Sequence, residues 1–136
     1  MKHADLDRLA HTEVRDGVTR QVFTGEGATL AWTTLAPGHT PRPHSHHFEQ
    51  IVYIVSGRVR FVVGDDEVEL GPGGMLVVPP NVEHFAETIG DEPCVDLSIF
   101  TPKRDEYAAE EEIASRSSAS SSPGDELAGR GREERS

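Results

Sequence analysis

The sequence predicts an all-β domain, a double-sheet sandwich or small barrel, followed by a short C-terminal helix and a disordered tail. Three observations carry this expectation. Short runs of β-branched and aromatic residues recur through the middle of the chain. Turns bearing Gly or Pro separate them every ~8–12 residues, the punctuation of sandwiches and barrels. Beyond Pro102 both features stop, and acidic helix formers give way to a stretch of Ser and Gly.

Residues 1–17 are charged and weakly patterned, with room for one short helix. VTRQVFT (18–24) alternates, and Gly25-Glu26-Gly27 turns it into ATLAWTTLA (28–36), a strand rich in Thr and Leu with the single Trp32. A Pro37-Gly38 turn opens a His-bearing segment that leads into the apolar strand EQIVYIV (49–55). Ser56-Gly57 turns into RVRFVV (58–63), and Gly64-Asp65-Asp66 forms a hairpin into EVEL (67–70). After the Gly71-Pro72-Gly73-Gly74 turn come strands at 75–78, 82–88 and 94–101, the first two parted by Pro79-Pro80-Asn81. DEYAAEEEIA (105–114) is helix material with acids at its start. From Ser115 onward almost nothing apolar remains to bury, so the tail reads as disordered. The expected boundaries are an N-terminal segment 1–17, a β-domain 18–104, a helix 105–114 and a tail 115–136.

At 136 residues the chain suits one domain with a modest core. Its net charge of −11 argues against nucleic acid or an anionic membrane surface as main partner. Up to Ala114 there are nine Lys/Arg against twenty Asp/Glu, so the domain carries the whole excess. The single Cys94 excludes an intramolecular disulfide, and its apolar neighbours suggest a buried thiol. No run is long and apolar enough for a membrane span or a signal peptide, which makes the cytoplasm the expected location.

The chemistry concentrates in PGHTPRPHSHHFEQIVYIVSG (37–57). In an extended strand, side chains two apart share a face. His44 and His46 then point one way, as does Gln50 if the strand runs unbroken, while Glu49 points the other. Two imidazoles and an amide oxygen on one spot begin a coordination sphere, and GGMLVVPPNVEH (73–84) delivers a further imidazole, His84, after its turn. A lone His on a strand is more often a hydrogen-bonded structural residue than a ligand. It is the three together, at this spacing, that point to metal. Gln50 could instead hydrogen-bond a His or a bound water. His47, on the opposite parity, reads as exterior and His39 as a loop residue. Arg58, Arg60 and the acids 110–112 read as solvated, and Trp32, Tyr53 and Phe85 more often as core than as pocket wall.

These two stretches resemble the motifs of the cupins, G-x5-H-x-H-x3,4-E-x6-G and G-x5-P-x-G-x2-H-x3-N. Here the first is Gly38, His44, His46, Gln50 and Gly57, with every spacing kept and Gln in place of Glu. The second is Gly73, Pro79, Asn81, His84 and Thr88, with Asn for the second Gly and Thr for the final Asn. The resemblance covers about residues 18–104 and implies a single cupin jelly-roll barrel with a metal site. GVTRQVFTGE, HSHHFEQIVYIVSG, PPNVEH and FTPKRDEY are similar, more closely, to the small single-domain cupins of the pectin-degradation type, which linearise unsaturated uronates. That likeness implies His44, His46, Gln50 and His84 as ligands of one divalent transition metal. It matches Phe100 and Arg104 to the group's C-terminal pocket residues, Arg104 suiting a substrate carboxylate. The group has an acid two residues before the Phe, where this chain has Ser98; Asp96, two residues earlier on the same face, is the substitute. Tyr53, in the motif strand, is carried as a further substrate contact.

Three imidazoles and an amide are neutral, so a divalent ion would keep its full charge and favour Lewis-acid work, polarising a carbonyl and stabilising an enolate. Iron, nickel, manganese, zinc and copper all accept imidazole, and the ligand set does not choose among them. The expected function is a metal-dependent isomerase or lyase acting on a small hydroxy-carbonyl or keto-acid, uronate-like molecule. The alternatives are an iron-dependent dioxygenase and a non-catalytic small-ligand-binding module. Cupins commonly pair through their sheets, and exposed edges need cover, so a homodimer is expected.

Overall fold

Strands form where β-branched residues alternate with polar ones, and the Gly and Pro turns decide where each ends. In the computed structural model, which describes residues 1–115, a 3₁₀ turn at Leu6–Arg8 precedes nine strands. They are β1 (Thr12–Arg15), β2 (Val18–Thr24), β3 (Thr29–Leu35), β4 (Glu49–Ser56), β5 (Arg58–Val63), β6 (Asp66–Leu70), β7 (Met75–Val78), β8 (His84–Ile89) and β9 (Cys94–Thr101). A single helical turn, α1 (Asp105–Ala108), follows. Six strands pair antiparallel in the order β1-β2-β3-β9-β4-β7, and three in the order β6-β5-β8. From β4 onward the chain passes repeatedly between the sheets, which is the jelly-roll sandwich expected from the sequence.

The core lies between the sheets. Val18, Leu35, Val52, Ile54 and Cys94 of the larger sheet and Val59 and Phe61 of the smaller form one buried cluster. Val52, Ile54 and Val59 are wholly excluded from solvent, and each such side chain contributes roughly 1.5–3 kcal/mol by leaving water. The Cys94 thiol is pushed up to about 12 by its burial, with Asp96 adding to the effect, so it packs as a small apolar group. Strand β9, between β3 and β4, turns Cys94, Asp96, Ser98 and Phe100 inward. Its inner row therefore changes from apolar to polar along its length.

Several sequence expectations need correction. The larger sheet begins at Thr12, because β1 pairs with β2, so residues 12–15 belong to the β-domain. The helix expected over 105–114 ends at Ala108. The residues after it pair with the N-terminus instead: Leu9 bridges Ile113, Ala10 N–H donates to Glu112 O at 2.9 Å and Ala114 N–H to Arg8 O at 2.8 Å. The strand expected from Val82 starts at His84, and Trp32 is half-buried rather than core. The tail expected to be disordered lies, beyond Ser115, outside the described residues. Among the described residues, no helix is long and apolar enough to cross a membrane.

Two motif glycines make a matched test of the turn at the end of β4. Gly38 and Gly57 both have positive φ, at 80° and 79°. A Cβ on Gly38 would meet nothing within 4 Å, whereas one on Gly57 would lie 2.3 Å from Pro93 O. Left-handed backbone alone costs a non-glycine residue about 1–2 kcal/mol. Gly38→Ala should lose about that much in urea denaturation, and Gly57→Ala about 3 kcal/mol or more because backbone must also move. Equal losses would refute the close approach of Gly57 to the β8–β9 connection.

Candidate metal centre

The first correction here concerns how the histidines converge. His44 and His46 do not lie on β4, which begins only at Glu49. They sit on the segment before it, which is pinned to the start of β8. His44 N–H donates to His84 O at 3.1 Å and His84 N–H to His44 O at 2.9 Å, an isolated antiparallel bridge joining two of the three imidazole residues. One turn away, Asn81 N–H donates to His46 O at 2.6 Å. Asn81 has φ 65°, the left-handed conformation that Asn tolerates better than other side chains. This accounts for Asn standing where the motif has Gly.

Each imidazole is then oriented by a backbone carbonyl two residues away. His44 Nδ1 lies 2.9 Å from Arg42 O, His46 Nδ1 2.9 Å from Phe48 O, and His84 Nδ1 2.9 Å from Val82 O. A carbonyl can only accept, so all three Nδ1 atoms carry the proton and all three Nε2 atoms present a lone pair. The ligand atoms the three residues offer lie within 4.8 Å of one another. The His46 ring is further fixed by stacking on Phe48, with centroids 4.0 Å apart.

Gln50 lies beside this cluster. Its Oε1 is 3.1 Å from His46 Nε2. With the His46 proton on Nδ1, this contact joins two lone-pair atoms, an arrangement that suits a shared cation. Gln50 Nε2 donates to Ser98 Oγ at 2.9 Å, and Ser98 Oγ donates to Asp96 Oδ1 at 3.0 Å. The carboxylate at the end of the chain thus orients the amide, turning its oxygen toward the imidazoles. His84 is 2% exposed and its Nε2 is buried with no hydrogen-bond partner. Burial, only partly offset by Val82 O and reinforced by the neighbouring imidazoles of His44 and His46, pushes it down to about 4. An orphaned, neutral, buried nitrogen facing two other imidazoles and an amide oxygen fits a divalent metal, so the three histidines form a site that could hold one.

The site opens into a cavity of about 330 Å³. Asp96, Ser98 and Phe100 from β9 line it. Burial pushes Asp96 up to about 7 against the pull of the Ser98 hydrogen bond. Phe100 meets the His46, Phe48 and Tyr107 rings edge-on. Two expected substrate contacts are elsewhere. Tyr53 is 40% exposed on the outer face of β4, because Val52 and Ile54 take the inward positions. Arg104 does not line the cavity: its guanidinium lies 3.6 Å from the centre of the Phe48 ring, and Nη2 donates to Glu106 at 2.9 Å. His39, expected in a loop, is there but buried, its Nε2 accepting from Thr88 N–H. Phe85, expected in the core, lines the cavity, as do Tyr107 and three arginines that the sequence reading passed over, Arg15, Arg20 and Arg42. Arg42 had a visible signal, a cation between two prolines just before His44. Arg15, well before the motif that opens at Gly38, had none.

Comparison with known proteins agrees with this geometry. Residues 31–100 match the family model described as the cupin domain. The uncharacterized protein SCO3923 of Streptomyces coelicolor is 28% identical over 103 residues, 75% of this chain and 97% of that protein. Acireductone dioxygenase of Exiguobacterium sibiricum is 36% identical over 64 residues, which is 43% of this chain and only 36% of the enzyme. The structure of KdgF from Halomonas superposes with a TM-score of 0.66 at 24% identity, covering 72% of this chain and 90% of that one. With the family model spanning half of the chain and the histidine cluster standing where both motifs place it, the protein belongs to the cupin domain family.

Proposed function

We propose that the chain is a metal-dependent enzyme of the isomerase or lyase type, acting on a small hydroxy-carbonyl or keto-acid substrate. The observation that carries this reading is the chain of hydrogen bonds from Gln50 through Ser98 to the buried acid Asp96. His44, His46, His84 and Gln50 would hold one divalent ion, with iron, nickel, manganese and zinc all compatible with the donors. When bound, the ion supplies Lewis-acid polarisation of a substrate oxygen. Proton transfer falls to β9. The Ser98 hydroxyl accepts a substrate proton at Oγ while passing its own to Asp96 Oδ1, and the return step reverses both. A carboxyl near 7 is poised for both directions at neutral pH. Ser98 and Asp96 together thereby replace the single acid that the pectin-degradation group carries at the Ser98 position.

The runner-up is an iron-dependent dioxygenase, favoured by the similarity to acireductone dioxygenase. Substrate-dependent O2 uptake separates the two.

The metal reading is checked by elemental analysis of untagged protein. About one transition metal per chain is expected, lost in His84→Ala with circular dichroism unchanged; equal metal in the variant would sink it. The proton relay is checked by solvent-deuterium incorporation next to the carbonyl across a panel of uronates and 2-keto acids. Asp96→Asn and Ser98→Ala should each slow exchange on an active substrate by about 10²-fold or more with metal content retained. Wild-type exchange rates in both would remove β9 from the mechanism.

Asp96 also predicts a pH dependence of stability in chelator-treated protein. Its folded value of about 7 stands above an unfolded value of ~3.9. The folded state then holds the extra proton between pH ~4 and 7, so this contribution falls as pH rises through that window. His84, pushed down to about 4, contributes the opposite slope between pH ~4 and 6.5. Subtracting wild type from Asp96→Asn cancels the His84 part, and the variant should gain relative stability steadily from pH 4 to 7. A constant difference would mean Asp96 ionises normally.

The homodimer has a place in this proposal. Ile51, Tyr53 and Val55 of β4 and Met75 and Val77 of β7 are exposed, with Ile51 opposite Val77 and Tyr53 opposite Met75. The strip adjoins the free edge of β7, and a second copy would cover both. Light scattering at micromolar concentration should give twice the chain mass, and Met75→Glu should give the monomer; a monomeric wild type refutes the pairing.

A further inference from the structure

Arginine in an acidic domain normally finds a carboxylate. Among the described residues, every lysine and arginine except two has an acid oxygen within 4.0 Å. The two without one are Arg15 and Arg42, and both line the cavity that holds His44, His46, Gln50 and His84. The third cavity arginine, Arg20, is neutralised by a two-point contact with Glu110 at 3.0 and 2.6 Å. Among the described residues, the only carboxyl lining the cavity is Asp96, already occupied by Ser98.

The backbone is arranged to place these two cations. In β1 the pairing with β2 shifts between Glu13 and Arg15. Such a bulge re-aims side chains, and the consecutive residues Val14 and Arg15 both line the cavity, where a regular strand would send one outward. Arg15 Nε is buried without a hydrogen-bond partner. Burial, followed by the charges of Arg42 and Arg20, lowers the Arg15 pKa. Arg42 is tied to the candidate metal site through its carbonyl, which orients His44. Arg15, half-buried with an orphan donor, and the exposed Arg42 thus stand on one cavity wall without an acid partner, in a chain of net charge −11.

We propose that Arg15 and Arg42 form the anion-binding subsite of this cavity, gripping a carboxylate or phosphate group on a small substrate whose hydroxyl or carbonyl faces the histidines. The assignment rests on the reading of the histidine cluster as the reactive end of the site. It gives to Arg15 and Arg42 the role expected from the sequence for Arg104, which is committed to Phe48 and Glu106. An oxyanion with two acceptor oxygens satisfies the orphan Nε and relieves the repulsion between the guanidinium groups.

The test is calorimetric titration of the zinc-reconstituted full chain, at low salt so that the charges are not screened. The probes are galacturonate, galactose (the same ring without the carboxylate) and inorganic phosphate. Galacturonate or phosphate should bind saturably, and galactose at least about tenfold more weakly than galacturonate. Arg15→Gln and Arg42→Gln should each weaken anion binding about tenfold. Arg58→Gln, on an exposed residue outside the cavity, should not change it. Zinc content and melting temperature should stay at wild-type values in all three. The tighter of the two anions decides between a carboxylate and a phosphate head. Anion affinity unchanged in both cavity variants, galactose bound as well as galacturonate, or no saturable binding of either anion would each overturn the subsite. The same titrations on chelator-treated protein separate this failure from failure of the metal reading. Dependence on Arg15 and Arg42 that persists in protein unable to hold zinc sinks the metal alone, whereas zinc retained without that dependence sinks the subsite alone.

Discussion

Two backbone hydrogen bonds between His44 and His84 hold this site together, and most of its other features follow from them. They join a segment with no strand of its own to the first residue of β8, forty positions later. Because the bridge runs through the main chain, it leaves both side chains free. The carbonyls of Arg42, Phe48 and Val82 then fix the proton on each Nδ1, so the lone pairs face inward before any ligand arrives. Orientation of this kind is normally the task of residues surrounding a metal's ligands; here backbone carbonyls two residues along perform it.

Strand β9 links this site to the stability of the fold. Its inward row places Cys94 in the apolar core and Asp96 and Ser98 in the cavity, so one strand supplies packing at one end and cavity-lining polar groups at the other. A carboxyl raised to about 7 by burial is a standing cost to the folded state at neutral pH. An Asn of the same shape would avoid it. An ionisable group at a position where burial opposes its charge agrees with the proton-transfer role proposed for Asp96.

The distribution of charge has the same logic. Among the described residues, the cations outside the cavity lie beside acids, whereas the cavity wall combines imidazoles, the half-buried Arg15, the exposed Arg42 and one carboxyl raised by burial. Against an overall negative charge, the subsite proposed at Arg15 and Arg42 would confine an anionic ligand to one place on the molecule.

The sequence by itself determined the sandwich and the identity of the histidines. Both are written locally, as two-residue alternation between Gly and Pro turns and as fixed spacing within two short motifs. The strand runs at 18–24, 58–63, 75–78 and 94–101 coincide with β2, β5, β7 and β9 because each is bounded by such turns. Only the tertiary structure decided how the histidines meet and which cations share their cavity. Strand parity gave the right partners for His44 and His46 through the wrong mechanism, since a cross-chain bridge aligns them and not a continuous β4. Arg104 carried a motif match but turned to Phe48 and Glu106, while Arg15 reached the cavity through a bulge in a segment outside the motifs. Long-range backbone pairing and the competition among arginines for carboxylates depend on which segments become neighbours in space, and no local pattern of residues records that.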